Sequence, residues 1–317
     1  MTVLHQEGKI LKINKEKRKS LISIFVITIS ILFSVILPSH INKFVKEGLS
    51  LCFNVVIASV FPFLIITDLF VAFSNFENVG FLQKVFEKLF KINKYAVSAF
   101  LCGLLCGFPL GVKVSADLYR NGCISKNECE RLIGFSNNTG PAFLISGIGF
   151  AMRGSVIDGI ILYFSMIISS ILSGLILGIG KKPSSASKKQ IEFKYNFSES
   201  VSNASLNTLN ISAYIVLFSI ITGVLSLIIK NNVIFSLILP FLEVSNAAKT
   251  LSLTNIFTKS ETLILTSFAV SFSGVSVHMQ AKSFLSKTDI SMKTYYFAKL
   301  LQGLLASLIT TLIVFIK

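Results

Sequence analysis

The segment Gly107-Phe108-Pro109-Leu110-Gly111-Val112-Lys113 interrupts an apolar run with residues that favour a turn and a positive charge. Pro109 removes a backbone donor, while Gly107 and Gly111 permit a turn and close backbone approach. A half-helix that begins near Gly111 would aim its free N–H groups at this break and favour an anion, with Lys113 beside it. The alternative is a simple kink in which Lys113 extends to the membrane interface.

A second polar run, Ser136-Asn137-Asn138-Thr139-Gly140-Pro141, places two amides and two hydroxyls at the start of an apolar helix. Amides both donate and accept hydrogen bonds, so Asn137, Asn138 and Thr139 suit a ligand with carboxylates, ring nitrogens or hydroxyls. The alternative is an ordinary N-cap at an interface, where Ser, Asn and Pro are preferred.

Glu243 and Asn246 follow Pro240 in another apolar stretch. A carboxylate at membrane depth is costly, which makes Glu243 a functional candidate. It could couple a proton, bind a cation or pair with Lys113. The alternative places Glu243 at the outer interface, in water.

Ser276, His278 and Gln280 belong to the fourth polar segment, Ser273–Gln280. His278 titrates near neutral pH and could hold an anion or relay a proton. Ser276 and His278 are only two residues apart and no acid partner is evident, so we expect no hydrolase triad and no enzyme. Asp68 and Asp117 are weaker candidates, since one lies near a helix end and the other beside a charged turn.

The composition predicts what kind of protein must position these residues. Of 317 residues, 52% are hydrophobic and 14% are charged, with a net charge of +15. Soluble domains average about 25% charged residues. The lysines and arginines lie mainly between apolar runs, which favours positive-inside orientation over nucleic-acid binding. The five cysteines show no metal-ligand spacing, so we predict no metal, no cofactor and a packing role for the thiols.

Apolar runs of about 20 residues can span a bilayer. The basic residues 1–20 precede the first of these runs, predicting a cytoplasmic N-terminus and a retained helix over 21–37. The uninterrupted spans are Leu21–Leu37, Val156–Ile179, Leu209–Ile229 and Lys293–Ile316. The interrupted ones are Leu49–Phe73, Tyr95–Tyr119, Phe135–Ala151, Val233–Leu253 and Thr262–Leu285.

Two lysine-rich loops both lie on the cytoplasmic side only if the chain over Tyr95–Asp117 enters and leaves the membrane by one face. The Ser- and Lys-rich residues 181–205 read as a cytoplasmic linker between repeats at 49–180 and 206–317. Tyr95–Ser125 and Glu261–Ser291 share the order of apolar helix, break and polar turn. The sequence therefore predicts an all-α membrane bundle with two inverted repeats and a midplane site.

The motifs at Gly107–Lys113 and Glu130–Pro141, with later blocks at Leu242–Asn246 and Gly274–Gln280, resemble the YlbJ-type sporulation integral membrane proteins. These are part of the nucleoside-recognition (Gate) domain group. The resemblance covers about 49–316 and implies a fold similar to concentrative nucleoside transporters, with hairpins that meet at a central site. It also implies a role in spore formation, in moving dipicolinic acid across the outer forespore membrane.

The expected function is therefore transport of a small polar or anionic aromatic solute, with dipicolinate as the leading substrate. Lys113, Asn137, Asn138 and His278 would suit its two carboxylates and pyridine ring. The expected partners are this solute and the lipid bilayer, with a homo-oligomer possible and no nucleic acid. The alternatives are a nucleoside or nucleobase carrier and a structural component of the spore membrane.

Overall fold

The computed structural model describes residues 35–73, 80–184 and 197–316. The predicted basic N-terminus and nearly all of the predicted helix over 21–37 lie outside these ranges. The described residues contain helices and no strands, as the all-α prediction requires. Five helices are long and apolar enough to cross a membrane, namely Pro38–Ile66, Val156–Gly178, Phe197–Ile228, Lys259–Phe284 and Lys293–Ile316.

The described residues of the first half of the chain form eight numbered helices. They are α1 (Pro38–Leu51), continued through a π-helical turn over Cys52–Ile57 into α2 (Ala58–Phe73), α3 (Gly80–Phe90), α4 (Val97–Leu105), α5 (Leu110–Arg120), α6 (Lys126–Ser136), the π-helical α7 (Ala142–Met152) and α8 (Val156–Gly178). A short 3₁₀ turn over Lys94–Ala96 precedes α4.

Over 197–316 the structure has six more helices. They are α9 (Phe197–Ile228), α10 (Asn232–Leu242), α11 (Val244–Leu253), α12 (Lys259–Phe272), α13 (Gly274–Phe284) and α14 (Lys293–Ile316). α9 packs along α1 and α2, whereas α14 packs against α12, α8 and α6.

α4 and α5 form a helical hairpin, called here the first hairpin. The two helices pack side by side, and α5 also contacts the turn Lys94–Ala96 that begins α4. Gly103 and Gly111 make this packing possible, because a Cβ on either residue would overlap the Ser136 carbonyl. The chain thus folds back on itself between α4 and α5.

α10 and α11 form a second hairpin, with its tip at Glu243. Glu243 has extended backbone (φ −151°, ψ 127°) and separates the two helices. Pro240 lies inside α10 and does not end it.

Three boundary predictions were wrong. Residues 197–205, predicted as linker, are the first turns of α9, since polar residues such as Ser200 and Asn207 are buried there and tolerated in the helix. Asn137–Gly140 does not begin a helix at an interface but separates α6 from α7. The polar segment Ser273–Gln280 is broken only at its start, where Ser273 and Gly274 have φ of +79° and +66°, and α13 begins at Gly274.

The repeat pairing predicted from sequence also differs from the structure. Tyr95–Ser125 includes the first hairpin, whereas Glu261–Ser291 contains α12 and α13, which follow one another along one continuous span. Both segments contain an apolar helix, a break and a turn. This shared order does not distinguish a hairpin from two helices that follow one another along one span.

Glu128 joins three segments at one end of the bundle, called here the lysine-rich end. The buried carboxylate accepts hydrogen bonds from the backbone N–H groups of Asn93 (2.8 Å), Ser125 (2.8 Å) and Ser184 (2.9 Å), and from the Ser184 hydroxyl. Burial acts to raise the pKa of this carboxyl, but the hydrogen bonds from Ser184 and Ser125 outweigh it and lower the pKa. This residue lies outside the five long apolar helices.

Glu128→Gln is expected to lower the thermal midpoint at neutral pH, because hydrogen bonds to a charged acceptor contribute about 1.5–3 kcal/mol. A carboxyl whose folded-state pKa is lowered stabilises the fold above its unfolded pKa, and that contribution disappears as pH falls through the folded value. The difference in thermal midpoint between wild type and variant should therefore become smaller as the pH falls, as measured by thermal unfolding in detergent. Glu47→Gln, at an exposed site, is the matched control. A difference in thermal midpoint that stays constant down to acid pH would contradict this role of the Glu128 carboxylate.

Candidate functional site

The tip of the first hairpin packs against the break between α6 and α7, called here the first break (residues 137–140). Gly107 at this tip has a φ of +78°, and a Cβ there would lie 2.6 Å from the backbone nitrogen of Gly140. A side chain at Gly107 would therefore separate the two segments. Both the positive φ and the close approach require glycine.

The tip of the second hairpin packs in the same way against the second break, at Ser273. Gly274 has a φ of +66°, and a Cβ there would lie 2.9 Å from the Leu242 carbonyl oxygen and 3.1 Å from the Glu243 nitrogen. The two breaks are joined directly, because the Thr139 hydroxyl donates to the carbonyl of Val270 at 2.8 Å. Two hairpin tips and two broken helices thus meet at the centre of the bundle.

A cavity of about 50 Å³ lies at this meeting point and is called here the central cavity. Four predicted site residues, Gly107, Thr139, Glu243 and Gln280, contribute to its wall. Most of the remaining wall is apolar or aromatic, and it comprises Val56, Val60, Phe63, Cys106, Phe108, Gly140, Ala142, Phe143, Ile211, Ile215, Val244, Ser245 and Val277. Such a wall, apolar with a few convergent polar groups, is typical of small-molecule sites.

Glu243 is the charged residue of this wall. It is 1% exposed, and its carboxylate accepts hydrogen bonds from the backbone nitrogens of Ser245 (3.0 Å) and Asn246 (2.6 Å). The side chain therefore caps α11, where a negative charge is favoured by the helix dipole. The alternative that placed Glu243 in water at an interface is excluded by this burial, and no ion pair joins it to Lys113.

Several predicted residues are adjacent to the cavity but serve packing. Pro109 precedes α5, and Gly111 lets α5 approach the Ser136 carbonyl. Lys113 is partly exposed and does not contribute to the cavity wall. Asn246 exchanges hydrogen bonds with the Ser219 hydroxyl on α9.

His278 and Ser276 lie on α13 and do not contribute to the cavity wall. The ring Nε2 of His278 is 2.8 Å from the carbonyl oxygen of Phe272, and since a carbonyl only accepts, Nε2 carries the proton. The ring packs edge-on against Phe272 and Tyr295. The Ser276 hydroxyl is buried without a hydrogen-bond partner.

A polar cluster that was not predicted lies on α14, although the span Lys293–Ile316 itself was predicted with the observed bounds. Tyr295, Lys299 and Gln302 on this helix are all fully buried. The available signal was the spacing of three and four residues, which places all three on one helix face. An ammonium in an apolar span is a functional candidate by default.

Asn137 and Asn138 face this cluster rather than the cavity. Lys299 Nζ donates to the Asn137 carbonyl oxygen (2.8 Å) and to Gln302 Oε1 (2.8 Å), and Gln302 Nε2 donates to Asn138 Oδ1 (2.7 Å). Asn137 Nδ2 donates to the Tyr295 hydroxyl at 2.9 Å. α14 thus contacts Asn137 and Asn138 of the first break, whereas Thr139 and Gly140 of the same break line the central cavity.

The chain is similar to the sporulation integral membrane protein YlbJ of Bacillus subtilis (strain 168). The two are 28% identical over 313 residues, covering 84% of this chain and 76% of that protein. This match confirms the YlbJ-type resemblance. No family model matches the chain, and no solved structure matches it.

The YlbJ-type relationship and the five long apolar helices together identify a multi-pass membrane protein in contact with the lipid bilayer. Within the described ranges, no three His, Cys, Asp or Glu side chains are close enough to hold a metal ion. All five cysteines are free and buried, and Cys106 is the one in the cavity wall. The polar groups in the wall of the central cavity are thus backbone groups, hydroxyls, an amide and one carboxylate.

Proposed function

We propose that this chain carries a small polar aromatic solute across a membrane through the central cavity. The observation that supports it best is the meeting of two hairpin tips and two broken helices at one partly polar cavity. Non-helical backbone at membrane depth is tolerated only where protein or a water-filled cavity surrounds it. Transporters use discontinuous helices in this way, with the solute bound near the midplane.

We further propose two inverted repeats, as in concentrative nucleoside transporters. One repeat comprises the first hairpin, the broken helix α6–α7 and α8; the other comprises the second hairpin, the broken helix α12–α13 and α14. The order of elements supports this pairing, and so do the matching capping boxes Ser125/Glu128 and Thr258/Glu261, which begin the two broken helices. Alternating access would follow from exchanging which hairpin tip covers the cavity.

The size of the cavity favours a closed resting conformation. At about 50 Å³ it has room for a few water molecules, since each needs roughly 10–15 Å³ measured in this way. Pockets for drug-sized ligands are about 300–1,000 Å³. A substrate with an aromatic ring would therefore require one hairpin tip to move away from its break.

Dipicolinate is the leading substrate because the chain resembles a sporulation membrane protein. Phe63, Phe108 and Phe143 offer a stacking surface for its ring, and the Thr139 hydroxyl and Gln280 amide offer donors. In this proposal the N-terminus is cytoplasmic and the protein lies in the outer forespore membrane. We assign no catalytic step to the chain.

A nucleoside or nucleobase is the second candidate, favoured by the charge of the cavity. The wall holds the Glu243 carboxylate and no cationic side chain, since Lys113 and His278 lie elsewhere. A neutral ring with several donors would meet less repulsion there than a dianion does. A structural role in the spore membrane remains the third, since buried hydroxyls such as Ser165, Ser267 and Thr310 pack α8, α12 and α14 together.

Purified full-length protein in vesicles is expected to take up labelled dipicolinate above the rate of empty vesicles. Unlabelled dipicolinate should compete and uridine or adenosine should not; the reverse pattern would identify a nucleoside carrier. Leu300→Ala, at an exposed position on the outer face of α14, is a control that should leave uptake unchanged. Folded protein that moves neither class of solute would refute the transport proposal and leave the structural role.

A further inference from the structure

The first segments of the two broken helices, α6 and α12, end at the centre of the bundle. The carbonyl groups at these ends receive no hydrogen bond from a further helical turn. The carbonyl of Asn137, the residue that ends α6, accepts from Lys299 Nζ at 2.8 Å. The carbonyl of Phe272, the last residue of α12, accepts from His278 Nε2 at 2.8 Å. Each negative helix end is thus met by a basic side chain, as the helix dipole favours.

The contacts around Lys299 fix the orientations of the neighbouring amides. Asn138 Nδ2 lies 2.8 Å from the Phe135 carbonyl, which only accepts, so Asn138 Oδ1 must be the acceptor for Gln302 Nε2. Gln302 therefore turns its Oε1 toward Lys299. Both partners of the Lys299 nitrogen are oxygen acceptors.

Lys299 has no counter-charge of its own. It is 0% exposed, and no ion pair joins it to a carboxylate in the described part of the chain. The adjacent Asn137 Oδ1 is buried and without a hydrogen-bond partner. The environment thus consists of oxygen dipoles at a helix C-terminus, which is the ligand chemistry that proteins offer to a small monovalent cation in a broken membrane helix.

We infer that Lys299 is a tethered cation that occupies the place of a dissociable monovalent cation at the first break. It is a positioning residue: it holds Asn137 directly and Asn138 through Gln302, so that Thr139 and Gly140 face the cavity. Its ammonium is covalently attached, so solute movement needs no cation from solution at this break. The uptake test of this inference rests on the proposed transport function, whereas its binding test does not.

The binding test uses purified full-length protein and thermal unfolding in detergent. Removing the ammonium in Lys299→Ala leaves space and exposes the carbonyl oxygens, so methylammonium should raise the thermal midpoint of the variant. It should not raise that of the wild type or of Lys293→Ala, an exposed lysine on the same helix. A merely structural lysine would give a destabilised variant that methylammonium does not stabilise, and this result would overturn the inference.

The uptake test separates charge from hydrogen bonding. Lys299→Gln keeps a donor and loses the charge, and we expect at least about a tenfold loss of uptake, the factor associated with one hydrogen bond to a charged group. Methylammonium should restore much of the uptake in Lys299→Ala and none in Lys299→Gln, where the amide fills the space. Wild-type uptake by Lys299→Gln would show that the charge is not needed and would overturn the inference.

Failure of the two proposals can be distinguished. If wild-type protein moves no solute but methylammonium stabilises Lys299→Ala, the transport function fails and the cation site stands. If neither neutral variant folds while Lys299→Arg does, the fold itself requires a positive charge at this position, which supports the tethered cation. If Lys299→Arg also fails while Lys299→Met folds normally, the charge has no role and the inference fails.

Discussion

Gly111→Ala is expected to displace the first hairpin from α6 and to lower the thermal midpoint of the protein strongly. A Cβ on Gly111 would overlap the Ser136 carbonyl oxygen and lie 2.6 Å from the Ser136 carbonyl carbon. Overpacking usually costs about 1–3 kcal/mol, and more where backbone is the obstacle, since backbone cannot rotate away as a side chain does. Thermal unfolding in detergent, with size-exclusion chromatography to count folded protein, measures the effect.

Gly80→Ala is the matched control, because a Cβ at Gly80 has no atom within 4 Å. It begins α3, at a distance from the hairpin, and should leave the thermal midpoint unchanged. Gly103→Ala, on the other helix of the hairpin, should behave like Gly111→Ala, since its Cβ would meet the same Ser136 carbonyl. A Gly111→Ala protein as stable as the Gly80→Ala control would show that the hairpin does not pack against α6 as described.

Glu243→Ala is expected to abolish most uptake while the protein still folds. Its carboxylate holds two backbone N–H groups at the tip of the second hairpin, and no other described side chain replaces it. Loss of a hydrogen bond to a charged acceptor costs about 1.5–3 kcal/mol, which corresponds to roughly 10–150-fold in an equilibrium between hairpin positions. The initial rate of dipicolinate uptake, normalised to folded protein, is the measurement.

Glu243→Gln separates the two roles of this residue. An amide still accepts one hydrogen bond at the cap but carries no charge, so a variant with a normal thermal midpoint and low uptake would assign the charge to transport. Glu47→Ala, at an exposed glutamate, is the control for removal of a carboxylate. Uptake by Glu243→Ala equal to that of the control would remove this residue from the solute pathway.

The membrane class and the first hairpin could be predicted because their causes are local. Long apolar runs predict the membrane spans. A Gly/Pro break lies between two lysine-rich loops, and the prediction that both loops lie on the same side of the membrane requires the chain to fold back at this break. The bounds of α14 were predicted as observed, and those of α8 to within one residue. α9 was predicted too short because hydropathy marks where a helix is apolar, whereas Ser200 and Asn207 are buried against other helices.

The site was predicted in part for a different reason. Gly107, Thr139, Glu243 and Gln280 are far apart in the chain, and each was recognised as a polar or flexible residue in an apolar run. Which of the polar residues face a common cavity depends on helix rotation, and rotation is decided by partners that one sequence does not reveal. Lys113 and His278 therefore looked equally suitable, although one is partly exposed and the other caps α12.

Lys299 was not predicted as a site residue, because it does not lie in an interrupted segment. Its helix is regular, and a single lysine in a long apolar run is easily read as one that extends to the interface. Only the packing of α14 against α6 and α8 places this ammonium at Asn137. A regular helix can thus complete a site whose broken segments supply the rest.

The most direct test of the central claim is protection of Cys106, the cysteine in the wall of the central cavity. In protein whose four other cysteines are replaced by alanine, a small water-soluble thiol reagent should modify Cys106 and stop uptake, and dipicolinate should slow both. The same result with a nucleoside instead would reassign the substrate but keep the pathway. Vesicles that take up solute while Cys106 is never modified, or is modified equally fast with and without solute, would contradict a pathway through this cavity.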